Sequence, residues 1–301
     1  MTDLAAHVAG SLDRAVDPQV RAFAHELAHE AGACGVLFYG SNLRTGSLDG
    51  VLDFYVLMPG PSRERIWPRI SYREWPGEAQ MLRAKIATLP LATFAEAAAG
   101  RTHDTTIWTR FVQPSALAFV RDDAAYLDIA QAVADAAMTA ARMAAALGPL
   151  SGPPRAFWQG LFRQTYLAEF RVEKAGREDT ILANDPAHFE GLLAAAWTAQ
   201  GLPYERRGEQ LAPRLTPQER AALVGQWRAW RRLGKPLNIL RLAKAAGTFE
   251  GAADYAAWKV ARHTGIALAV TPYRRRHPVL AMPGAAWELW RARRRSPEDQ
   301  R

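Results

Sequence analysis

The stretch Phe38-Tyr39-Gly40-Ser41-Asn42 ends one apolar run, and a second run, Val51-Leu52-Asp53-Phe54-Tyr55-Val56-Leu57, follows after a short polar segment. Apolar runs of this length, bounded by Gly and polar residues, predict β-strands over 35–39 and 51–58. The first strand therefore ends in a turn of small residues, and the second begins with the carboxylate of Asp53. We expect both features to lie at one edge of a sheet.

The segments around this pair predict a sheet with helices beside it. We expect helices within 2–32 and over 91–99, strands over 80–88 and 116–121, and a loop rich in Pro, Arg and Trp over 59–78. From about residue 123 the apolar spacing is helical, with helices expected over 123–147, 155–176, 186–200, 216–233, 236–247 and 250–265. The expected fold class is α+β, with a mixed-sheet domain over 1–122, an all-helical domain over 123–270 and a basic tail over 271–301.

The composition indicates a globular protein with an acidic partner. The 301 residues are 49% apolar and carry a formal charge of +8, which favours a nucleotide, a nucleic acid or an anionic membrane as partner. The single cysteine, Cys34, excludes a disulfide framework and a multi-cysteine zinc module. The sequence has neither a secretory signal pattern nor an uncharged apolar stretch of about 20 residues. We therefore expect a cytoplasmic protein that is peripheral on the inner face of a bacterial membrane.

His25-Glu26-Leu27-Ala28-His29 matches the helical zinc pattern in which two histidines hold the metal and the glutamate is a general base. The surroundings argue against a zinc site. The extended pattern has a third His ten positions after the first, where this chain has Gly35, and fewer than 25 residues precede the motif. We interpret the two histidines as a solvent-facing pair beside an apolar helix stripe, with a zinc hydrolase as the alternative.

The turn and the acidic strand contain residues that nucleotidyl transfer requires. Carboxylates hold Mg²⁺ against a triphosphate, and Asp53 is the predicted ligand, with Asp49 second or bound through water. Small residues let the backbone approach phosphates closely. This is the role expected of Gly40 and Ser41, with Asn42 beside them.

Cations must also neutralise the pyrophosphate as it leaves. Arg83, Lys85 and Arg101 are available if the third apolar run pairs beside the second. The common nucleotidyltransferase signature has a second carboxylate two residues after the first, where this chain has Tyr55. From these residues alone, an ordinary strand-turn-strand unit is the alternative.

Tyr39-Gly40-Ser41 followed by Leu52-Asp53-Phe54 resembles two blocks of the mitochondrial-type phosphatidate cytidylyltransferases, the translocator assembly and maintenance family. That family also lacks the second carboxylate. Three more blocks of that family have similar stretches here, in the same order. Residues 99–101 are similar to its Ala-Gly-Arg, residues 168–171 to its Gly-Asp-Phe-Arg, and residues 184–189 to its Asn-x-x-Ala-His-Phe. This chain departs from the pattern at Asn42, where the family has a glycine, and at Glu169, where it has an aspartate. It therefore resembles a divergent bacterial relative.

The resemblance implies a nucleotidyltransferase-like mixed sheet with flanking helices, followed by an all-helical C-terminal domain. It implies that CTP and phosphatidic acid react, with Mg²⁺, to give CDP-diacylglycerol and pyrophosphate. Asp53 would be the principal metal ligand, and Arg101 and Lys85 would face the triphosphate or the lipid phosphate. Glu169 and Arg171 would close the nucleotide site from the helical part, with an interdomain ion pair as the alternative.

The basic tail predicts contact with an anionic membrane surface. Residues 271–301 hold eight arginines and three acidic residues, and arginines flank Trp287, Leu289 and Trp290. Such cations contribute roughly 1 kcal/mol each near anionic headgroups. No recognised nucleic-acid module accompanies the tail, so no nucleic-acid partner is expected. The alternatives are a tail without a role, an enzyme of the same fold with another phosphate or a protein as acceptor, and a non-catalytic lipid- or nucleotide-binding protein.

Overall fold

The computed structural model describes residues 3–61, 66–168, 177–248, 250–266, 268–276 and 278–295. Its strands are β1 Gly35–Tyr39, β2 Leu52–Met58, β3 Arg69–Pro76, β4 Met81–Pro90, β5 Ser115–Val120, β6 Tyr204–Arg207 and β7 Gln210–Pro213. Its helices are α1 Asp3–Leu12, α2 Pro18–Ala31, α3 Ser41–Thr45, α4 Leu91–Ala98, α5 Thr106–Phe111, α6 Asp123–Leu147, α7 Pro154–Ala168, α8 Arg177–Asn184, α9 Pro186–Ala199, α10 Pro217–Thr248, α11 Ala252–Thr264, α12 Pro272–Arg276 and α13 Pro278–Arg295.

Five strands form a mixed sheet in the order β3-β4-β2-β1-β5. β2 and β4 pair in parallel, and the other neighbours in this sheet pair antiparallel. Because β1 and β2 are consecutive and antiparallel, the end of β1 lies beside the start of β2, with Tyr39 opposite Asp53. The structure confirms an α+β protein with a mixed sheet flanked by helices and a helical C-terminal part.

Alternate residues of β2 enter two separate cores. Leu52, Phe54 and Val56 join a cluster with α2, whereas Tyr55 and Leu57 join a cluster with α4, α5 and α6. This alternation follows from the pleat, which directs successive side chains to opposite faces. The two-fold pattern is why an aspartate at position 53 lies on the same face as Tyr55.

Local signals define the ends of the two long helices beside the sheet. The Asp17 side chain accepts a hydrogen bond from the Gln19 N–H at the start of α2, and Gly32, at φ 66°, ends that helix in the left-handed region. Asp122 caps α6 by accepting a hydrogen bond from the Ala125 N–H.

The expected loop over 59–78 is wrong in part, because β3 lies within it. β3 pairs with β4 along its whole length, from Arg69 opposite Thr88 to Pro76 opposite Met81. An edge strand tolerates charged side chains and a terminal proline, since one of its sides needs no ladder hydrogen bonds. The Pro, Arg and Trp content that suggested a loop is therefore compatible with this edge strand.

The C-terminal part contains a hairpin, which contradicts the all-helical expectation. β6 and β7 pair antiparallel around Gly208-Glu209, with Gly208 at φ 61°. Each strand has four residues, which is too short for alternation to stand out in sequence. The helices expected over 216–233 and 236–247 form the single helix α10, with Pro236 inside it.

One buried cluster joins the sheet to the helices that follow it. Trp108 of α5 lies against Trp227 and Trp230 of α10, with ring centroids 6.4 and 5.7 Å apart. α6 contacts two helices that precede it in the chain, α4 and α5, and two helices that follow it, α7 and α9. This shared core places α10 beside the sheet. The domain boundaries at 122 and 270 stay predictions.

Candidate active site

One row across the sheet brings the predicted carboxylate together with other polar side chains. Opposed residues run from Tyr72 of β3 through Lys85 of β4 and Asp53 of β2 to Tyr39 of β1 and Ser115 of β5. Directly opposed residues share a face of a sheet, so these five side chains lie on the face that contacts α4, α5 and α6. Lys85 is therefore the direct neighbour of Asp53, as the predicted pairing of the third and second apolar runs requires.

Gly40 brings the turn backbone against the Asp53 carboxylate. Its φ of 92° and ψ of −160° belong to a region that is essentially restricted to glycine. A Cβ at this position would lie 3.0 Å from Asp53 Oδ2. Glycine is thus required by both the backbone conformation and the space. Ser41 follows as the exposed first residue of α3.

Asn42 organises the loop between β1 and β2. Its side chain is buried, and Nδ2 donates hydrogen bonds to the backbone carbonyls of Ser47 and Asp49, both at 2.8 Å. These bonds use both amide hydrogens, and Oδ1 accepts from Ser41 Oγ at 3.4 Å. Asp49 itself is exposed. The structure therefore assigns Asn42 to holding the loop that carries Asp49.

Asp53 is a half-buried acid among cations. Burial raises the pKa of Asp53, while the positive charges of Lys85, Arg110 and Arg44 lower it. In the part of the chain that the structure describes, no group donates a hydrogen bond to the Asp53 carboxylate. Its oxygens are thus available to a ligand, and the surrounding cations favour a ligand that carries negative charge.

Arg110, on α5, is a site residue that the sequence did not indicate. Its Nη1 donates a hydrogen bond to the Tyr55 hydroxyl at 2.6 Å, and its guanidinium lies 5.4 and 5.6 Å from the ring centroids of Tyr39 and Tyr55. Tyr55 occupies the position where the common signature has a second carboxylate. Here that tyrosine holds an arginine near Asp53. No spacing rule links positions 53 and 110, so only the tertiary structure brings them together.

A buried ion pair holds α10 to the loop before α5. Arg241 Nη1 and Nη2 donate to the two carboxylate oxygens of Asp104, both at 2.9 Å, and the side chains are only 14% and 2% exposed. Asp104 also accepts from the Thr106 N–H and hydroxyl. Arg241 Nε donates to the Trp67 carbonyl at 2.8 Å. Because Asp104 lies two residues before the start of α5, this pair positions the helix that carries Arg110.

Arg101 is not part of the group around Asp53. It forms an ion pair with Glu96 at 2.9 Å, and both side chains are more than half exposed. The cations that act on Asp53 are instead Lys85, Arg110 and Arg44. The predicted residues Glu169 and Arg171 lie outside the described residues.

Arg83 lies two residues before Lys85 on β4 and therefore on the same face of the sheet. It pairs with Glu74 of β3 at 3.3 Å, and its guanidinium lies 5.5 Å from the ring centroid of Trp258 on α11. The structure thus places this predicted cation beside the Asp53 row, in contact with the C-terminal part.

The block at 184–189 connects α9 to the rest of the fold. Asp185 caps α9 by accepting from the His188 N–H at 3.2 Å and forms an ion pair with Arg14. His188 Nε2 donates to the Val112 carbonyl at 2.9 Å, and His7 Nε2 donates to the His188 carbonyl at the same distance. Burial lowers the pKa of His188 to about 4, so this histidine is neutral at pH 7. The geometry gives the block a structural role.

His25 and His29 face solvent, as predicted, while Leu27 between them is buried. Glu26 accepts a hydrogen bond from Trp75 Nε1 at 2.7 Å. Among the described residues, no group of three or more His, Cys, Asp or Glu side chains is arranged to hold a metal ion.

Asp53 suits a magnesium ion that is shared with substrate phosphates. It would supply one half-buried carboxylate, and the exposed Asp49 lies on the loop that Asn42 holds. Mg²⁺ is commonly bound by one or two carboxylates, with waters and phosphate oxygens as its other ligands. The donors present fit that arrangement, because Lys85 and Arg110 would then face the phosphates rather than the metal.

The tail forms the two helices α12 and α13. Trp287 and Trp290 of α13 are 55% and 50% exposed, and the Arg291 guanidinium lies 5.2 Å from the Trp287 ring centroid. Arg274 of α12 pairs with Glu288 at 2.7 Å. Of the helices in the described ranges, none has the length and apolar character needed to cross a bilayer.

No protein-family model matches this chain, and no curated protein matches it. The resemblance carried by the five sequence blocks therefore stays a prediction.

Proposed function

We propose that this protein is a Mg²⁺-dependent nucleotidyltransferase that transfers the cytidylyl group of CTP to phosphatidic acid. The observation that carries the proposal is the close approach of Gly40 to Asp53. A Cβ on Gly40 would lie 3.0 Å from Asp53 Oδ2, and Lys85 is the neighbour of Asp53 on β4. A turn without a side chain next to a carboxylate flanked by cations suits a metal-bound triphosphate. The choice of CTP and phosphatidic acid rests on the sequence resemblance.

The reaction is a displacement at phosphorus. An oxygen of the acceptor phosphate bonds to the α-phosphorus of CTP, and the bond from that phosphorus to the bridging oxygen of the β-phosphate breaks. Pyrophosphate leaves with the electron pair, and CDP-diacylglycerol is formed. A phosphate monoester is already ionised at pH 7, so no general base has to remove a proton before attack. The protein has to position two anions and neutralise their charge.

The residues around Asp53 divide these tasks. Asp53 would hold the magnesium ion, which, when bound, supplies positive charge to the triphosphate oxygens. Gly40 and Ser41 lie where backbone N–H groups can approach the β- and γ-phosphates. Lys85 and Arg110 flank the carboxylate; their positive charges favour the two phosphate groups that meet there, and Arg110 stabilises the negative charge that develops on the departing pyrophosphate.

A diacyl acceptor stays in the bilayer, so the protein has to reach the membrane surface. The exposed Trp287 and Trp290, with Arg291 beside them, are residue types that bind anionic interfaces. This arrangement supports contact with an anionic membrane surface, and we propose that the surface is the inner face of a bacterial membrane.

The test is a turnover assay with purified protein, Mg²⁺, labelled CTP and liposomes that contain phosphatidic acid. We expect release of pyrophosphate together with labelled CDP-diacylglycerol. Asp53→Asn should lower the rate by about 100-fold or more, because it removes the charge that binds the metal. Asp128→Asn is the matched control, since Asp128 is an exposed aspartate on α6.

The outcomes separate the alternatives. Turnover with another phosphate but not with phosphatidic acid would support a nucleotidyltransferase that uses a different acceptor. CTP binding without turnover on any acceptor would favour a non-catalytic nucleotide-binding protein. An Asp53→Asn variant with full activity would contradict the assignment of the site.

A further inference from the structure

The sheet face that carries Asp53 is also bordered by α11, and this helix places one aromatic and basic face on it. Tyr255, Trp258, Lys259 and Arg262 follow the i, i+3, i+4 and i+7 spacing of one helix face. Tyr255 contacts Tyr72 of β3, with ring centroids 5.3 Å apart. Since Tyr72 opposes Lys85, this face of α11 borders the Asp53 row from the β3 side.

Trp258 is in contact with two arginines that come from distant parts of the chain. The Arg83 guanidinium is 5.5 Å and the Arg262 guanidinium 5.3 Å from its ring centroid. Both distances are within the range of a cation–π interaction. The indole therefore contacts both an arginine of the sheet and an arginine of α11.

Arg262 also reaches the loop that carries Asp49. A Cβ on Gly50 would lie 3.3 Å from Arg262 Nη1, so the guanidinium sits directly over this glycine, one residue after Asp49. Gly50 has a φ of 92°, and the absence of a side chain there lets Arg262 approach. The end of the β1–β2 loop, β4 and α11 thus converge on one cluster of positive charge.

This cluster has an excess of positive charge. Glu74 is the acid that pairs with Arg83, and within the described ranges Arg262 has no acidic partner. Lys259 adds a third cation, 5.7 Å from the Tyr255 ring centroid. Arg262 and Lys259 are exposed. An exposed guanidinium that packs against an indole suits an incoming anion.

We propose that Arg83, Trp258 and Arg262 form a second anion subsite, which binds the phosphate monoester of the acceptor. This inference rests on the proposed nucleotidyl transfer. Gly40 and Arg110 lie on the β1 side of Asp53, whereas this subsite lies on its β4 side. An in-line displacement needs the leaving group and the attacking oxygen on opposite sides of the phosphorus. The triphosphate is therefore assigned to the β1 side and the acceptor to the α11 side, with Trp258 as a positioning residue.

The first experiment measures acceptor binding without nucleotide, by isothermal titration calorimetry with dihexanoyl phosphatidic acid below its micelle concentration. We expect Arg262→Ala to weaken binding by about tenfold or more, the usual effect of losing a charge-assisted hydrogen bond. Arg228→Ala is the matched control, because Arg228 is an exposed arginine on α10 and changes the net charge equally. Trp258→Phe should keep most of the affinity, whereas Trp258→Ala should lose it.

Glycerol 3-phosphate distinguishes a lipid acceptor from a soluble one. Equal affinity for this probe and for the lipid supports the subsite with a soluble phosphate as ligand, and tighter lipid binding supports it with the headgroup. Unchanged binding in Arg262→Ala, or no binding of either probe to the unaltered protein, overturns the proposal.

The second experiment separates this inference from the proposed function. In the turnover assay, Arg262→Ala should raise the KM for phosphatidic acid by about tenfold and leave the KM for CTP unchanged. Specific acceptor binding without turnover would refute the transferase and retain the subsite. Turnover in which Arg262→Ala raises the KM for CTP instead would retain the transferase and refute the subsite.

Discussion

Replacing Gly40 by alanine tests the contact on which the site assignment depends. The added methyl group meets two penalties. The backbone region at φ 92° and ψ −160° costs a residue with a side chain about 3 kcal/mol, and the Cβ would lie 3.0 Å from Asp53 Oδ2. Gly46 provides the control, because its φ of 68° is also positive but a Cβ there has no neighbour within 4 Å. Gly46→Ala should cost about 1 kcal/mol.

The assay is equilibrium unfolding in urea of both single variants, of Asp53→Ala and of the double variant Gly40→Ala/Asp53→Ala. Gly40→Ala should lower the free energy of unfolding about 3 kcal/mol more than Gly46→Ala does, of which about 2 kcal/mol comes from the backbone and about 1 kcal/mol from the contact with Asp53. Removing the Asp53 carboxylate relieves the contact, so the cost of Gly40→Ala should fall by about 1 kcal/mol in the Asp53→Ala background. Equal costs for the two glycines, together with strict additivity in the cycle, would refute the reasoning.

Three further predictions follow from the structure. The pKa of His188 is about 4, below its ordinary value of about 6.5, so the unfolded chain binds a proton first as the pH falls. The free energy of unfolding should therefore decrease by about 2 kcal/mol between about pH 7.5 and about pH 5. Urea midpoints measured over this pH range should decrease less for His188→Gln than for the unaltered protein. Arg241→Met should lower the free energy of unfolding by about 3 kcal/mol, because it leaves the buried Asp104 carboxylate without its cation; a loss below about 1 kcal/mol would contradict this. Arg110→Ala should raise the KM for CTP by about tenfold, whereas Arg101→Ala, which removes an exposed pair, should leave turnover kinetics nearly unchanged.

Local sequence patterns predicted the elements that build the centre of the sheet. The apolar runs at 35–39 and 51–58 correspond to β1 and β2. The pattern missed β3, because an edge strand with charged residues has the composition of a loop. It also missed the β6–β7 hairpin, whose strands are too short to show alternation. These errors fall where pairing with a neighbour, rather than intrinsic preference, determines the strand.

The candidate site also contains residues that local sequence indicates and residues that only packing brings together. Gly40 and Asp53 can be predicted, because a turn of small residues after one apolar run and an acid at the start of the next are local features. Arg110 and Arg241 were not predicted, since their roles depend on where α5 and α10 pack. For Arg101 the sequence indicates a role in the site, whereas the structure places it in an exposed ion pair with Glu96.

Taken by itself, the sequence determined the order and type of the main helices and strands, the glycine turn and the acid on β2. These properties follow from backbone preferences and from the two-fold and helical periodicities of apolar residues. Only the tertiary structure decided which cations surround Asp53. It placed Lys85 beside the acid through the parallel pairing of β2 and β4, and it brought Arg110 to the acid from a segment far away in the chain. Side chains from distant segments meet through packing, and the packing of α5, α10 and α11 on the sheet depends on the whole buried core rather than on any local stretch.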